Sequence, residues 1–193
     1  MAFAFVIGSA VAAQADVIFN SFGTTTEFDA GSGWTVNSSQ SMGLQFSVSF
    51  GTYTLSEIDV ALFSIANDGT TKVNLCADNA GSPGTVLETL NVVADPTGTK
   101  YFLNSVLHPT LTIGTYFLTL TPGSASAGSA WCQNGDGVQG PMIFSTNSGT
   151  TWNGFTNTYG AATVQGTLVP EPATFAVLGL GVLALVRRRR TDK

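Results

Sequence analysis

Short runs of alternating apolar and polar residues recur through the middle of the chain. In QFSVSF, the side chains of Phe46, Val48 and Phe50 share one face, and polar residues occupy the other. The segment SEIDVAL repeats the pattern with Ile58 and Val60 on its apolar face. A period of two is typical of a β-strand that buries one face. Both segments are therefore predicted to be strands.

Further strands are predicted along the whole central region. They lie in KVNLCA, TVLETLNVV, KYFL, PTLTI, TYFLTL, PMIFS and TVQGTL, with a return strand led by Trp131. The intervening segments, such as NDGT, DNAGSPG, ADPTG, TPGSASAGSA and STNSGTTWNG, are rich in turn residues. This pattern predicts one all-β domain over residues 16–168, a β-sandwich or jelly-roll-like fold. The inward-facing set is expected to be Phe46, Val48, Ile58, Val60, Val73, Leu75, Leu118 and Leu120.

Composition supports a folded domain and argues against a nucleic-acid partner. Of the 193 residues, 44% are hydrophobic and only 10% charged, which is unlike a disordered chain. Residues 16–169 contain ten Asp and Glu but two Lys, a net charge of −8. Five of the seven basic residues follow Leu185. The acidic body has no electrostatic footprint for nucleic acid. A basic terminal cluster beside an apolar run indicates the flank of a membrane segment.

The first fifteen residues are predicted to be a signal peptide. The apolar segment MAFAFVIGSAVAAQA ends in Ala13-Gln14-Ala15, a small-x-small pattern that signal peptidase reads. Cleavage is expected after Ala15, which makes Asp16 the new N-terminus. The alternative is a buried first strand or helix.

Export would place the domain in an oxidising compartment, where disulfides persist. Cys76 and Cys132 are the two cysteines, and both lie in the exported part. We therefore expect them to pair, with two separate buried thiols as the alternative. No paired Cys-x-x-Cys metal site is present in the sequence.

Residues 169–193 combine an apolar run with a basic end. No charge occurs between Ala173 and Val186, and a helix of this length would span about 21 Å. That is shorter than the hydrocarbon core of about 30 Å, so a thin or temporary membrane span is expected. The arginines from 187 to 190 would stay in the cytoplasm, which leaves the domain outside.

This ending resembles the PEP-CTERM tail of Gram-negative bacteria. The resemblance rests on a triplet, an apolar run and a basic cluster in order, with the residues Pro170, Glu171, Pro172, Arg187, Arg188, Arg189 and Arg190. It implies handling by exosortase, processing near the triplet, and passage from the inner membrane to the cell surface or extracellular matrix. Proteins with this tail are typically linked to exopolysaccharide, biofilm or floc formation.

The mature region resembles the choice-of-anchor R domain, a β-rich extracellular domain found with surface anchors. The similar segments are VIFNSFG, GSGWTV, YTLSEIDVAL and LCADNAGSPGTVLETL. They are strands and turns, so the resemblance implies a surface role without a named ligand.

Catalytic residues are sparse. The one histidine, His108, precedes a proline at a predicted strand start, and a Ser-His-acid triad would require it. No G-x-S-x-G motif occurs. Glu57 and Asp59 could in principle cleave glycosides, but a solvated sheet face explains them more simply. We expect no enzymatic activity.

Ligand sites are equally few. Asp78, Asn79, Asn134 and Asp136 could suit Ca²⁺, although the same residues are ordinary turn formers, and no metal is expected.

The tryptophans Trp34, Trp131 and Trp152 could stack on sugars, with burial in the core as the favoured alternative. The favoured function is thus a non-catalytic surface or matrix protein, with a carbohydrate-binding module as the alternative and a secreted hydrolase behind it. Coplanar exposed rings on one sheet face would favour the carbohydrate-binding module.

Overall fold

The computed structural model describes residues 14–66 and 68–170, and the described chain is all β. Its strands are β1 (Ala15–Asn20), β2 (Phe28–Asn37), β3 (Ser41–Val48), β4 (Tyr53–Ser64), β5 (Thr70–Asp78), β6 (Pro83–Val93), β7 (Thr99–Asn104), β8 (Thr110–Leu111), β9 (Gly114–Pro122), β10 (Gly128–Asn134), β11 (Gln139–Ser145), β12 (Asn153–Thr158) and β13 (Ala162–Leu168). The predicted all-β fold is confirmed.

Two antiparallel sheets form a sandwich. The seven-stranded sheet has the order β1-β13-β4-β10-β2, and β7 and β8 also pair with β4. The six-stranded sheet has the order β12-β11-β3-β9-β5-β6. Most neighbours within a sheet are distant in sequence, as with β13 beside β4 and β3 beside β9. The fold is therefore held together mainly by long-range pairing.

The core lies between the two sheets. All eight residues predicted to face inward are buried in one apolar cluster: Phe46, Val48, Ile58, Val60, Val73, Leu75, Leu118 and Leu120. This outcome confirms the register that the alternation predicts, because a shift by one residue would have turned the whole set outward. Trp131 of β10 lies in the same cluster and is fully buried.

Phe50 is the exception to the predicted alternation. It was expected to share a buried face with Phe46 and Val48, but its side chain is 62% exposed. The strand ends at Val48, and Gly51 adopts a positive φ of 71° in the turn that follows. The turn breaks the alternation before Phe50, so that part of the prediction is wrong.

Strand β12 was also missed. Its sequence NGFTNT is polar, and the strand lies at the edge of the six-stranded sheet, where it pairs with β11. An edge strand buries little, so its sequence lacks the strong apolar alternation of an inner strand.

Candidate functional site

The two ends of the domain lie side by side. Strands β1 and β13 are antiparallel partners, with Ala15 opposite Thr167. The backbone N–H of Val169 donates to the carbonyl of Thr52 at 2.7 Å, which fastens the chain to the domain just before the proline triplet. The segments that precede β1 and follow β13 therefore leave from one end of the sandwich. We call this end, formed by residues 15–17, 48–53, 111–114 and 166–170, the attachment end.

Only part of the predicted sorting and cleavage residues lies within the described chain. Ala15 and Asp16 begin β1 and are exposed, and Pro170 is exposed beyond β13. Outside the described residues lie Ala13, Glu171, Pro172, Arg187, Arg188, Arg189 and Arg190. Cleavage after Ala15 stays a prediction. It would leave Asp16 in place opposite Gly166, so β1 would keep most of its pairing.

The predicted disulfide is wrong: Cys76 and Cys132 are both free and buried. Their neighbours Leu75 and Trp131 face the central core, so both cysteines point to the outer faces, one on each sheet. Packed sheets lie about 10 Å apart, and a disulfide needs Cα atoms within about 7 Å. Two separate buried thiols, the alternative from the sequence, are what the fold produces. Burial raises the pKa of the Cys132 thiol to about 12.

Glu57 and Asp59 share the outer face of β4, as predicted, but that face is not solvated at Asp59. The Asp59 side chain is buried, and its Oδ2 lies 3.7 Å from Nζ of Lys100. The same Nζ lies 3.3 Å from Glu27 and 4.2 Å from the centroid of the Phe22 ring. Burial, followed by the nearby Glu57 carboxylate, raises the pKa of Asp59 to about 6 despite Lys100. The expectation of a wet face is therefore wrong for Asp59.

A raised carboxyl pKa is a property of general acids, but the surroundings of this pair point to a structural cluster. Glu57 accepts a hydrogen bond from the Gln165 side-chain amide at 3.0 Å. The Lys100 ammonium is engaged by two carboxylates and by the Phe22 ring. Glu57 and Lys100 thus have partners within the protein, while Oδ1 of Asp59 is buried without a hydrogen-bond partner. Burial beside a structural ion-pair cluster accounts for the raised pKa.

His108 has a serine and an acid beside it, yet in the wrong geometry for a triad. The hydroxyl of Ser105 donates to Glu88 at 2.6 Å, and the backbone N–H of His108 donates to Ser105 Oγ at 2.9 Å. The imidazole instead places Nδ1 3.1 Å from the carbonyl of Leu55. In a triad the imidazole must accept the serine proton, whereas here the serine already donates to the acid.

Glu88 is an important residue that sequence analysis missed. It lies within a strand that was predicted from its apolar residues, and its side chain is 2% exposed. Besides Ser105, it accepts backbone N–H groups of Val106 and Leu107. The carboxylate thus ties the loop after β7 of one sheet to β6 of the other. An acidic residue inside an apolar strand was the available signal.

The tryptophans occupy three different environments. Trp131 is fully buried, and its indole N–H donates to the carbonyl of Ala161 at 2.9 Å. Trp34 is half-buried and meets Phe155 edge to face at 74°, in a shallow recess beside the edges of both sheets. Trp152 packs against the apolar cluster on the outer face of the six-stranded sheet. These rings do not form the coplanar platform that would favour a carbohydrate-binding module.

The candidate calcium residues serve turns and loops. An Asp78 carboxylate oxygen accepts the backbone N–H of Gly81 at 2.9 Å. Asp136 accepts both the backbone N–H and the hydroxyl of Thr24. The Asn134 side chain bonds backbone groups of its own loop. Among the described residues, no cluster of three or more His, Cys, Asp or Glu side chains could hold a metal ion.

Comparison with known proteins identifies the tail. No curated protein matches the chain. The resemblance of the domain to choice-of-anchor R stays a prediction. Among residues 14–66 and 68–170, no helix has the length and apolar character needed to cross a bilayer. Residues 168–190 match the PEP-CTERM protein-sorting motif. The chain therefore carries a PEP-CTERM tail, which implies an exported protein that exosortase handles at the membrane and that is anchored to the surface.

Proposed function

We propose that this protein is a non-catalytic component of the cell surface or extracellular matrix of a Gram-negative bacterium, associated with exopolysaccharide or biofilm. Exosortase would process the tail near Pro170-Glu171-Pro172, and the β-sandwich would be released to its final position. Signal peptidase would remove residues 1–15 during export.

The observation that carries the proposal is the position of the sorting motif relative to the fold. The motif begins at residue 168, at the last residue of β13, and Val169 is bonded to the domain through Thr52. The sandwich is therefore complete without the tail. Processing at the triplet would remove the tail and leave every described strand intact.

The non-catalytic character is supported by the chemistry of the best candidates. The Ser105 hydroxyl donates its hydrogen bond to Glu88, and the His108 imidazole faces the carbonyl of Leu55, so the histidine cannot activate the serine. Asp59 is held in an ion-pair cluster. The carboxylates suggested for calcium, Asp78 and Asp136, instead accept hydrogen bonds from backbone N–H groups of turns and loops. The exopolysaccharide association rests on the resemblance of the tail to its family.

Intact-mass analysis in the producing bacterium, with and without its exosortase, tests the sorting part. We expect surface material to lack residues after about Ala173, and the exosortase-deficient strain to retain the full tail in the inner membrane. Replacing the arginines 187–190 by glutamine should impair sorting. Replacing them by lysine, which keeps the positive charge, should preserve the membrane orientation. Surface protein that still ends at Lys193 would mean a plain membrane anchor.

Binding to the producer's own exopolysaccharide tests the association part. We expect the processed protein to sediment with the purified polymer, and an unrelated polysaccharide to leave it in the supernatant. The Trp34 recess is the described aromatic surface most suited to a sugar ring. Trp34→Phe, which keeps a ring in place, should weaken binding if a carbohydrate-binding module is the correct alternative. Absence of binding would remove the polysaccharide association while leaving the sorting result unaffected.

A further inference from the structure

The attachment end exposes several large apolar side chains. Val17 is 61% exposed, Phe50 62% and Ile113 68%. Leu168 and Val169 are also partly exposed at the end of β13. In a soluble protein a contiguous exposed apolar surface indicates a contact with something else.

Strand register brings these residues to one end of the sandwich. Val48 at the end of β3 is opposite Gly114 at the start of β9. Phe50 comes just after Val48 and Ile113 just before Gly114, so both lie beside neighbouring strand ends of the six-stranded sheet. Tyr53 is opposite both Leu168 and Leu111, which places the seven-stranded sheet at the same level.

Close packing joins the apolar side chains within that end. Val17, Phe50 and Tyr53 line one recess. The turn at Gly51 packs so closely on Leu168 that an added Cβ would lie 2.7 Å from its Cδ1 atom. These contacts join Val17, Phe50 and Leu168 into one surface, and strand register places Ile113 beside it.

The chain outside the described residues determines what this surface faces. Val169 is bonded to Thr52, and the uncharged apolar run begins at Ala173. Four extended residues reach at most about 14 Å. The headgroup region of one leaflet is roughly 5–8 Å thick. With the apolar run in the bilayer, the attachment end must lie within about 9 Å of the headgroup region, because crossing that region uses at least about 5 Å of the roughly 14 Å reach.

Charge at the attachment end permits this approach. In residues 15–17, 48–53, 111–114 and 166–170, Asp16 is the one charged side chain. The region from 16 to 169 as a whole carries a net charge of −8, so its acidic groups lie mostly elsewhere. After cleavage by signal peptidase, the α-ammonium of Asp16 would offset its own carboxylate at neutral pH.

We propose that the attachment end is a lipid-docking surface, which inserts Phe50, Ile113 and Val17 into the headgroup region while the tail anchors the precursor. The inference rests on the proposed function, because it needs the tail in a membrane. Aromatic and aliphatic side chains at the headgroup level are favourable, as in interfacial anchors. Docking would fix the tilt of the domain and hold Pro170-Glu171-Pro172 at the bilayer surface, where a membrane-embedded enzyme can reach it.

The test uses the full chain bound to phosphatidylcholine vesicles, with a fluorescent thiol label as a depth probe. Phe50→Cys provides the labelling site, because Cys76 and Cys132 are buried and should not react in the folded protein. Val93→Cys is the matched control, since Val93 is 67% exposed. Val93 pairs with Thr70 of β5, and the adjacent Thr71 pairs with Pro122, the last residue of β9. Val93 therefore lies at the opposite end of β9 from Gly114, which belongs to the attachment end. That separation is about 26 Å along the strand.

We expect vesicles with brominated lipids to cause a loss of fluorescence from the label at position 50 and none from the label at position 93. Co-flotation without quenching at position 50 overturns the docking surface while leaving the membrane tail intact. Shielding of position 50 from an aqueous quencher without quenching by lipid means that protein, such as a second copy of the chain, covers this end, and it also overturns the proposal. A chain that does not co-float with the vesicles overturns both the docking surface and the membrane role of the tail.

Discussion

Glu88→Gln tests a buried carboxylate that connects the two sheets through a loop. Its oxygens accept hydrogen bonds from Ser105 Oγ at 2.6 Å, from Leu107 N at 3.0 Å and from Val106 N. Glutamine has nearly the same size and keeps one acceptor oxygen for the two backbone N–H groups. The substitution therefore removes the negative charge and one acceptor without opening a cavity.

The expected loss follows from the strength of charge-assisted hydrogen bonds. Each such bond contributes about 1.5–3 kcal/mol, roughly twice a neutral one. The neutral amide that replaces the carboxylate retains weaker versions of these bonds, so we expect a loss of about 2 kcal/mol in the free energy of unfolding. For a domain of this size that corresponds to a decrease in Tm of about 4–8 °C.

Acidification should remove the difference between the two proteins. Burial by itself would raise the pKa of Glu88, but the hydrogen bonds from Ser105, Leu107 and Val106, together with the charge of His108, hold it below the ordinary value of 4.5. A lowered folded-state pKa contributes stability that is present above the unfolded value and is lost as the pH falls through the folded value. The advantage of wild type over Glu88→Gln should thus be complete at neutral pH and shrink below about pH 4.5.

Urea unfolding of the full chain in a nonionic detergent, followed by tryptophan fluorescence between pH 7.5 and pH 3, measures both effects. Glu27→Gln is the matched control, because Glu27 is 59% exposed and makes one ion pair with Lys100 at 3.3 Å. Its loss should stay below about 1 kcal/mol. A Glu88→Gln protein as stable as Glu27→Gln at pH 7.5, or a gap that is unchanged at pH 3, would refute the reasoning.

Three further predictions concern packing, a buried charge and the thiols. Gly160→Ala should destabilise the fold by about 3 kcal/mol in urea unfolding, because overpacking is costly and an added Cβ would lie 2.4 Å from the ring of fully buried Trp131. Asp59→Asn should be at least as stable as wild type at pH 8, because the raised pKa of about 6 means that the folded state prefers the neutral carboxyl. The difference should close as the pH falls from about 6 to about 4, where wild-type Asp59 takes up its proton in the folded state. Alkylation should label neither Cys76 nor Cys132 in the folded protein and both after denaturation without reductant.

Each of these has a result that contradicts it. Gly154→Ala is the control for the glycine substitution, because an added Cβ at Gly154 has nothing within 4 Å; equal stability of the two variants would exclude the proposed clash. An Asp59→Asn protein that is much less stable than wild type at pH 8 would show that the Lys100 ion pair outweighs burial. Denatured, unreduced protein that takes up no label would mean that a disulfide exists.

The sequence determined the strands of the core because local alternation depends only on which face of a strand is buried. Phe46, Val48, Ile58 and Val60 alternate with polar residues, and all four are buried. The same rule failed at Phe50, because the strand ends at Val48, two residues earlier than the pattern suggests, and a glycine turn follows. Alternation carries no information on where a turn interrupts it.

The sorting motif could also be recognised from the sequence alone, because it is defined by the order of residues along the chain. Pro170-Glu171-Pro172, the apolar run and the arginines are contiguous, and the motif matches at residues 168–190. A local motif of this kind needs no information about the fold of the domain.

Only the tertiary structure decided which distant residues meet. Both cysteines follow inward-facing residues in their strands, yet they point to opposite outer faces, because the two strands belong to different sheets. The alternation predicts that Asp59 faces solvent, but Lys100 of the neighbouring strand β7 packs against its carboxylate. The pairing of β1 with β13, which brings both ends of the domain to one surface, likewise joins residues about 150 positions apart. Local patterns fix the face of each side chain, whereas contacts between strands far apart in sequence depend on sheet order, which packing of the whole chain determines.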